Sequence, residues 1–187
     1  FALAAAVTAV FITLLISPAQ ADPRADEAKT IVKTFAQTLQ GELKAALKAG
    51  GPTQAVDVCH ERAPAIAAEL STKTGWEVGR TSLRRRNAGN TPDDWERDVM
   101  MQFEQRKAAG EDPATLAYGA VVDDAQGKRF RFMKAIPTQP VCLTCHGGDS
   151  VPAEVEAKLR QYYPDDQARG FKAGDLRGAF TLAKPAG

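Results

Sequence analysis

Apolar residues recur with a helical period near the start of the chain. Between residues 25 and 49 an apolar side chain returns every four positions, from Ile31 to Leu43, which predicts an amphipathic helix. A Gly-Gly-Pro step at residues 50–52 is expected to end this helix, because glycine and proline both interrupt helical backbone.

The same period resumes over residues 53–70 and predicts a second helix. Cys59 lies in the middle of its apolar stripe, whereas His60 lies 100° further round the helix, at the polar edge. Pro64 also falls inside the stripe. Because proline has no N–H to donate to the carbonyl of His60, we expect a kink nearby.

Alternating residues predict a β-hairpin in the second half of the chain. Residues 116–122 and 128–136 form its strands, and the turn-forming residues 123–127 join them. Phe130 and Phe132 should share one face of the second strand. The other predicted elements are a strand over 75–83, a helix over 91–109, a loop over 137–150, a helix over 152–163 and a strand over 176–182. Helices first and an antiparallel meander afterwards indicate the α+β class.

The predicted helix over residues 91–109 carries a start signal. Thr91 is the expected N-cap, Pro92 suits the first helical position, and Asp94 stands where a capping box requires an acid. Gly110 is expected to end this helix.

The N-terminal segment has the pattern of an export signal. Residues 1–17 are uncharged and mostly apolar, and Ala19-Gln20-Ala21 forms a small-x-small cleavage site. We expect a signal peptide over residues 1–21, with a retained N-terminal membrane anchor as the alternative, and one globular domain over residues 22–187. The net charge of +1 gives no support to nucleic-acid binding.

Three residues carry the clearest chemical signal in the sequence. Cys142-Leu143-Thr144-Cys145-His146 is the attachment motif of a c-type haem. Two thiols at this spacing add to the two vinyl groups of a haem, and the adjacent His146 becomes the proximal ligand of the iron. The motif occurs once, so one covalent haem is expected, and its attachment agrees with export.

Other interpretations of the motif fit less well. A thioredoxin-like pair should begin a helix that activates the first thiol, and Gly147-Gly148 discourage a helix here. A structural zinc site would need four ligands, from the motif and either Cys59 or His60, and it leaves the adjacent histidine unexplained.

The second axial ligand has several candidates on residue chemistry alone. Cys59 would supply a thiolate, His60 an imidazole and Met133 a thioether, and an open coordination site is a further alternative. Met100 and Met101 are the remaining thioethers. Cys59 lies on the apolar face of its helix and would meet a buried haem first, although a small packed cysteine has the same pattern.

A basic run follows the predicted strand over 75–83. Arg80 and Arg84 are candidates for bidentate contacts to haem propionates. A run such as Arg84-Arg85-Arg86 is also typical of a solvated face.

Several segments together resemble a family of exported single-haem cytochromes with a PAS-like fold, and the resemblance covers nearly all of residues 22–187. The segments are residues 55–59, 75–82, 87–95 and 132–137, the haem motif with Gly147, and residues 174–179. The resemblance implies a PAS-like antiparallel sheet flanked by N-terminal helices. It also implies that the second axial ligand is Cys59. His60 directly after Cys59 departs from the family pattern and leaves a ligand switch, or a shift of the assignment by one residue, open.

The resemblance implies a haem domain that occurs alone or as the sensing region of bacterial signalling proteins, and we expect this chain to be the stand-alone form. We therefore expect a periplasmic cytochrome of a Gram-negative-type bacterium, with a low-potential haem, acting in redox sensing or electron transfer with a redox partner protein. The rivals are a diffusible His/Met electron carrier and a binder of a gas or another small ligand. No acid–base or nucleophile constellation points to an enzyme.

Overall fold

The computed structural model describes residues 22–149 and 151–187, so the predicted signal peptide over residues 1–21 lies outside the described residues. The α+β class is confirmed. The helices are α1 (Pro23–Asp57), a π-helix (Val58–Arg62), α2 (Ala63–Thr74), α3 (Asp94–Ala108), α4 (Leu143–His146) and α5 (Ala153–Tyr162), and the strands are β1 (Glu77–Thr81), β2 (Ala117–Asp124), β3 (Gly127–Pro137) and β4 (Leu176–Pro185). Among the described residues, no helix has the length and apolarity to cross a membrane.

The four strands form one antiparallel sheet with the order β1-β4-β3-β2. Helices α1 and α2 cover one face of this sheet, where Phe35 and Ile66 meet Phe132 and Leu182. Helix α3 covers the other face and packs against Met133. Because successive side chains of a strand point to opposite faces, the Phe132–Met133 step of β3 supplies both cores.

The glycine pair after the first predicted helix interrupts the helical backbone as expected. Gly50 and Gly51 have non-helical dihedral angles, with Gly51 at φ 72°, although the hydrogen-bonded helix α1 runs through them to Asp57. The predicted kink at Pro64 is replaced by a π-helix that ends at Arg62. Pro64 then lies in the first turn of α2, where a missing N–H is tolerated.

Helix α3 begins two residues later than predicted, and its N-cap is Asp93 rather than Thr91. The Asp93 carboxylate accepts a hydrogen bond from the Glu96 N–H at 2.8 Å, and Glu96 accepts one from the Asp93 N–H at 3.2 Å. This reciprocal capping box satisfies two donors at once. Asp94 instead occupies the first turn of the helix.

The segment predicted as a loop over 137–150 contains one helical turn. Residues Pro140–Cys142 form a 3-10 turn that leads into α4, so the attachment motif lies on helical backbone. The Gly147 N–H donates to the Leu143 carbonyl at 2.9 Å, and the chain then becomes extended at Gly147. The glycine pair therefore limits the helix to a single turn rather than preventing it.

Gly178 in β4 is required by a close backbone approach. A Cβ atom at this position would lie 2.4 Å from the Thr81 carbonyl oxygen. We predict that Gly178→Ala lowers the free energy of unfolding by about 1–3 kcal/mol, because β1 and β4 must separate to accept the methyl group. Urea unfolding measures this change.

Gly41→Ala is the matched control, because a Cβ atom there meets nothing within 4 Å. Gly41 is helical, so this substitution should stabilise the protein by about 0.5–1 kcal/mol. Equal effects of the two substitutions would contradict the assignment of Gly178 to a close approach.

Candidate functional site

A cavity of about 360 Å³ lies between α1, one end of the sheet and the attachment motif. Its volume falls in the range of cofactor sites. Helix α1 supplies an apolar wall from Val32 to Leu47. The sequence-predicted site residues that line the cavity are Cys59, Arg80, Cys142, Cys145 and His146. Three segments that are distant in the sequence, namely α1 with the π-helix that continues it, β1 and the attachment motif, therefore meet around one cavity.

The His146 ring is held by a backbone carbonyl. Its Nδ1 lies 2.9 Å from the Ala168 carbonyl oxygen. Burial, with the guanidinium groups of Arg177 and Arg86, holds the pKa of His146 well below its ordinary value, so the ring is neutral at pH 7. A neutral ring that donates from Nδ1 keeps its lone pair on Nε2, which is the arrangement of a metal-ligating histidine.

Arg86 ties the attachment motif to the segment after α5. Its guanidinium donates to the carbonyl oxygens of Cys145 at 2.7 Å and Ala168 at 3.1 Å, and it pairs with Asp166 at 3.0 Å. A further nitrogen lies 3.4 Å from His146 Nε2. Sequence reasoning placed Arg86 in a run typical of a solvated face and missed this role, because its partners lie 59 to 82 positions away.

Two further guanidinium groups face the cavity. Arg177 Nε lies 3.2 Å and 3.3 Å from the two ring nitrogens of His146, and burial lowers the pKa of Arg177 to about 10. Burial also lowers the pKa of Arg80. In the part of the chain that the structure describes, neither arginine forms a salt bridge with a carboxylate. The sequence signal for Arg177 was its place in the family-like segment 174–179.

Cys59 reaches the cavity from the π-helix. Burial raises the pKa of its thiol, and the positive charges of Arg80, Arg86 and Arg177 oppose that rise. Burial and the nearby Cys59 also raise the pKa of Cys145 to about 11. The thiols of Cys59, Cys142 and Cys145 are all free.

Several other candidates lie outside the cavity. Arg84 is exposed, does not line the cavity and stacks over Phe171 with its guanidinium 4.1 Å from the ring centroid, so the expected contact of Arg84 with a propionate stays a prediction. His60 stacks on Tyr162 at 4.2 Å between centroids. The thioether candidates are Met133 and Met100, which are buried in the core under α3, and Met101, which is half exposed.

The zinc interpretation receives no support from the geometry. Among residues 22–149 and 151–187, no three His, Cys, Asp or Glu side chains are grouped as ligands for one metal ion. The motif and Cys59 instead line one cavity of about 360 Å³.

The family of this chain follows from a comparison with known protein families. The Tll0287-like family matches it over residues 18–185. The chain belongs to this family. In structure it is similar to the cyanobacterial heme-protein Tll0287, with a TM-score of 0.68 and 24% sequence identity over 89% of this chain and 98% of the other. This structural match shows a shared fold. The comparison with curated proteins finds no significant match.

The buried pair of Arg86 and Asp166 generates a test of the site's framework. Burial alone would raise the pKa of Asp166, but the hydrogen bond and charge of Arg86, the Ala168 N–H and Arg169 together outweigh burial and hold that pKa below its ordinary value. We predict that Asp166→Asn lowers the free energy of unfolding at pH 7 by about 3–5 kcal/mol, because Arg86 is left buried without a counter-charge. Urea unfolding as a function of pH checks this.

The pH dependence of this effect has a definite sign. The stabilisation by Asp166 is present above the unfolded carboxyl pKa and is lost as pH falls through the lower folded pKa, so the variant should approach the wild type in acid. Glu69→Gln is the control, because Glu69 is 65% exposed and pairs with Arg62 at 3.4 Å. Its loss should stay under about 1 kcal/mol. A deficit for Asp166→Asn that is as small as this would contradict the prediction.

Proposed function

We propose that this chain is an exported c-type cytochrome with one haem, attached through Cys142 and Cys145 and ligated by His146 and Cys59. The observation that carries the proposal is that the attachment motif and Cys59 line the same cavity. Membership of the Tll0287-like family and the fold shared with a cyanobacterial heme-protein support it. We also propose that the antiparallel sheet with its N-terminal helices is a PAS-like fold.

The side chains around the cavity fit a haem in shape and charge. The apolar wall of α1 suits the flat macrocycle, and two cations that form no salt bridge with the described residues suit its two propionates. We therefore assign the propionate contacts to Arg80 and Arg177. Arg80 was expected from the sequence, whereas Arg177 takes the place of Arg84.

A bound haem supplies one-electron redox chemistry, and the protein controls how readily its iron is oxidised. The Ala168 carbonyl orients His146 and increases its basicity as a ligand. A Cys59 thiolate donates negative charge and favours ferric iron, which lowers the reduction potential. The cations Arg80, Arg86 and Arg177 oppose this effect and favour the thiolate over the thiol.

These properties suit redox sensing or electron transfer in the periplasm with a redox partner protein, without enzymatic turnover. The carrier with a His/Met pair is less favoured, because Met133 is packed in the core on the α3 face of the sheet. Binding of a gas or another small ligand requires Cys59 to leave the iron and is kept as the second candidate. Cys59 lies in a π-helix, a structure that is common at functional sites.

Covalent attachment is tested by haem retention. After co-expression with a haem-attachment system, the exported protein should keep one haem through denaturation and acid-acetone extraction, because thioether bonds survive both. Mass spectrometry should show the polypeptide plus one haem. Cys142→Ala with Cys145→Ala should abolish retention, and Cys59→Ala, which leaves the motif intact, should not. Free extraction of haem from the wild type would refute the attachment.

Axial ligation by Cys59 is tested by spectroscopy of the ferric protein. The wild type should show a split Soret band and a near-infrared charge-transfer band of thiolate ligation. Cys59→Ser should remove both and raise the reduction potential, because the negative thiolate no longer stabilises ferric iron. His60→Ala should leave the ferric spectrum nearly unchanged. If instead His60→Ala becomes high-spin and Cys59→Ser keeps the wild-type spectrum, His60 is the ligand.

A further inference from the structure

The helix that carries Cys59 contains one residue more than a regular helix would hold. Between α1 and α2, the five residues Val58–Arg62 form a π-helix, and the Ala63 N–H donates to the Val58 carbonyl. This i→i+5 pattern replaces the i→i+4 pattern of an α-helix, so the turn accommodates an additional residue.

Packing holds the helices on both sides of the π-helix in place. Upstream, Ala55 and Val56 are buried, with 1% and 2% exposure. Downstream, Ile66 and Leu70 belong to the core beneath the sheet. Since neither flank can rotate without exposing its core residues, the additional residue is confined to 58–62. This segment therefore sets which side chain faces the cavity.

Cys59 and His60 occupy different environments as a result. Cys59 lines the cavity. The His60 ring lies parallel to Tyr162, with 4.2 Å between the centroids and an interplanar angle of 7°, and meets the edge of Tyr163 at 5.3 Å. Tyr163 itself lines the cavity and His60 does not, so the Tyr163 side chain lies between His60 and the cavity. Within the described residues, the buried His60 Nδ1 has no hydrogen-bond partner.

We infer that the π-helix is the feature that selects Cys59 over His60 as the side chain presented to the haem. This inference rests on the proposed function and adds to it a structural determinant of ligand choice. Counted from the packed end of α1, Cys59 is the second residue after Asp57. Deletion of Cys59 puts His60 in that place and leaves four residues, which an α-helical turn accommodates.

The π-helix also makes such a deletion tolerable. In a regular α-helix, loss of one residue rotates everything downstream by 100° and would turn Ile66 and Leu70 away from the core. In the π-helix, the loss converts one helical type into the other, and α2 keeps its orientation. The contacts of the His60 ring with Tyr162 and Tyr163 are lost in exchange.

The test compares two variants of the haem-loaded protein that both lack the thiol. Cys59→Ala keeps the register, so its ferric haem should be high-spin with an open site. Deletion of Cys59 should give the low-spin spectrum of two histidine ligands, and adding His60→Ala to the deletion should return it to high-spin. Identical spectra for the deletion and Cys59→Ala would overturn the inference, as would two-histidine ligation in Cys59→Ala.

A second pair of deletions measures the register by thermal unfolding of the haem-loaded protein, followed by far-ultraviolet circular dichroism. Deletion of Glu61 removes a π-helix residue after Cys59, so the protein should keep the wild-type ferric spectrum with a small fall in Tm. Deletion of Ala68 in α2 should lower Tm at least twice as much. Equal falls would overturn the inference. A wild type without thiolate features would instead refute the proposed ligation by Cys59, while this comparison of Tm would still test the register.

Discussion

The buried guanidinium of Arg86 is the contact on which the arrangement of the site depends. It joins the segment after β1 to the Cys145 carbonyl of the attachment motif and to Asp166 and Ala168 beyond α5. Ala168 in turn holds His146. Arg86 is only 7% exposed, and burial of an arginine is favourable only when its charge is paired and its N–H donors are hydrogen-bonded. These segments must therefore come together when the protein folds. Folding therefore completes the histidine site at the same time.

The sheet places this site at its end and keeps its faces for packing. Phe132 and Met133 supply opposite cores, so α1 and α3 are fixed on the two faces. The end of the sheet remains for polar groups, and Arg80 from β1 and Arg177 from β4 both reach the cavity there. Gly178, next to Arg177, lets β4 approach the Thr81 carbonyl closely. The cationic side of the cavity is thus a consequence of strand pairing.

Charge balance connects the ligands with the arginines. In the structure three guanidinium groups act on the Cys59 thiol, and Asp166 neutralises one of them through its pair with Arg86. A thiolate and two propionates would bring three negative charges toward these cations. Each charged group loses its hydration when it is buried. Burial of these cations is therefore favourable only when the anions that pair with them are buried beside them. Among the described residues, Arg80 and Arg177 have no salt bridge, so the cavity carries uncompensated positive charge beside Cys59.

The sequence by itself determined the features that depend on local chemistry and short periods. The α+β class, the β-hairpin and the break at Gly50-Gly51 all follow from spacing along the chain. Local hydrogen bonding decided where α3 begins. Asp93 rather than Thr91 is its N-cap, because Asp93 and Glu96 form two reciprocal hydrogen bonds. Only the tertiary structure decided that Arg86 and Arg177 face the cavity and Arg84 does not, because strand pairing and ion pairs between distant segments select among similar arginines. The π-helix has the same origin: the packing of α1 and α2 on one sheet leaves an additional residue between them, and no period in the sequence records it.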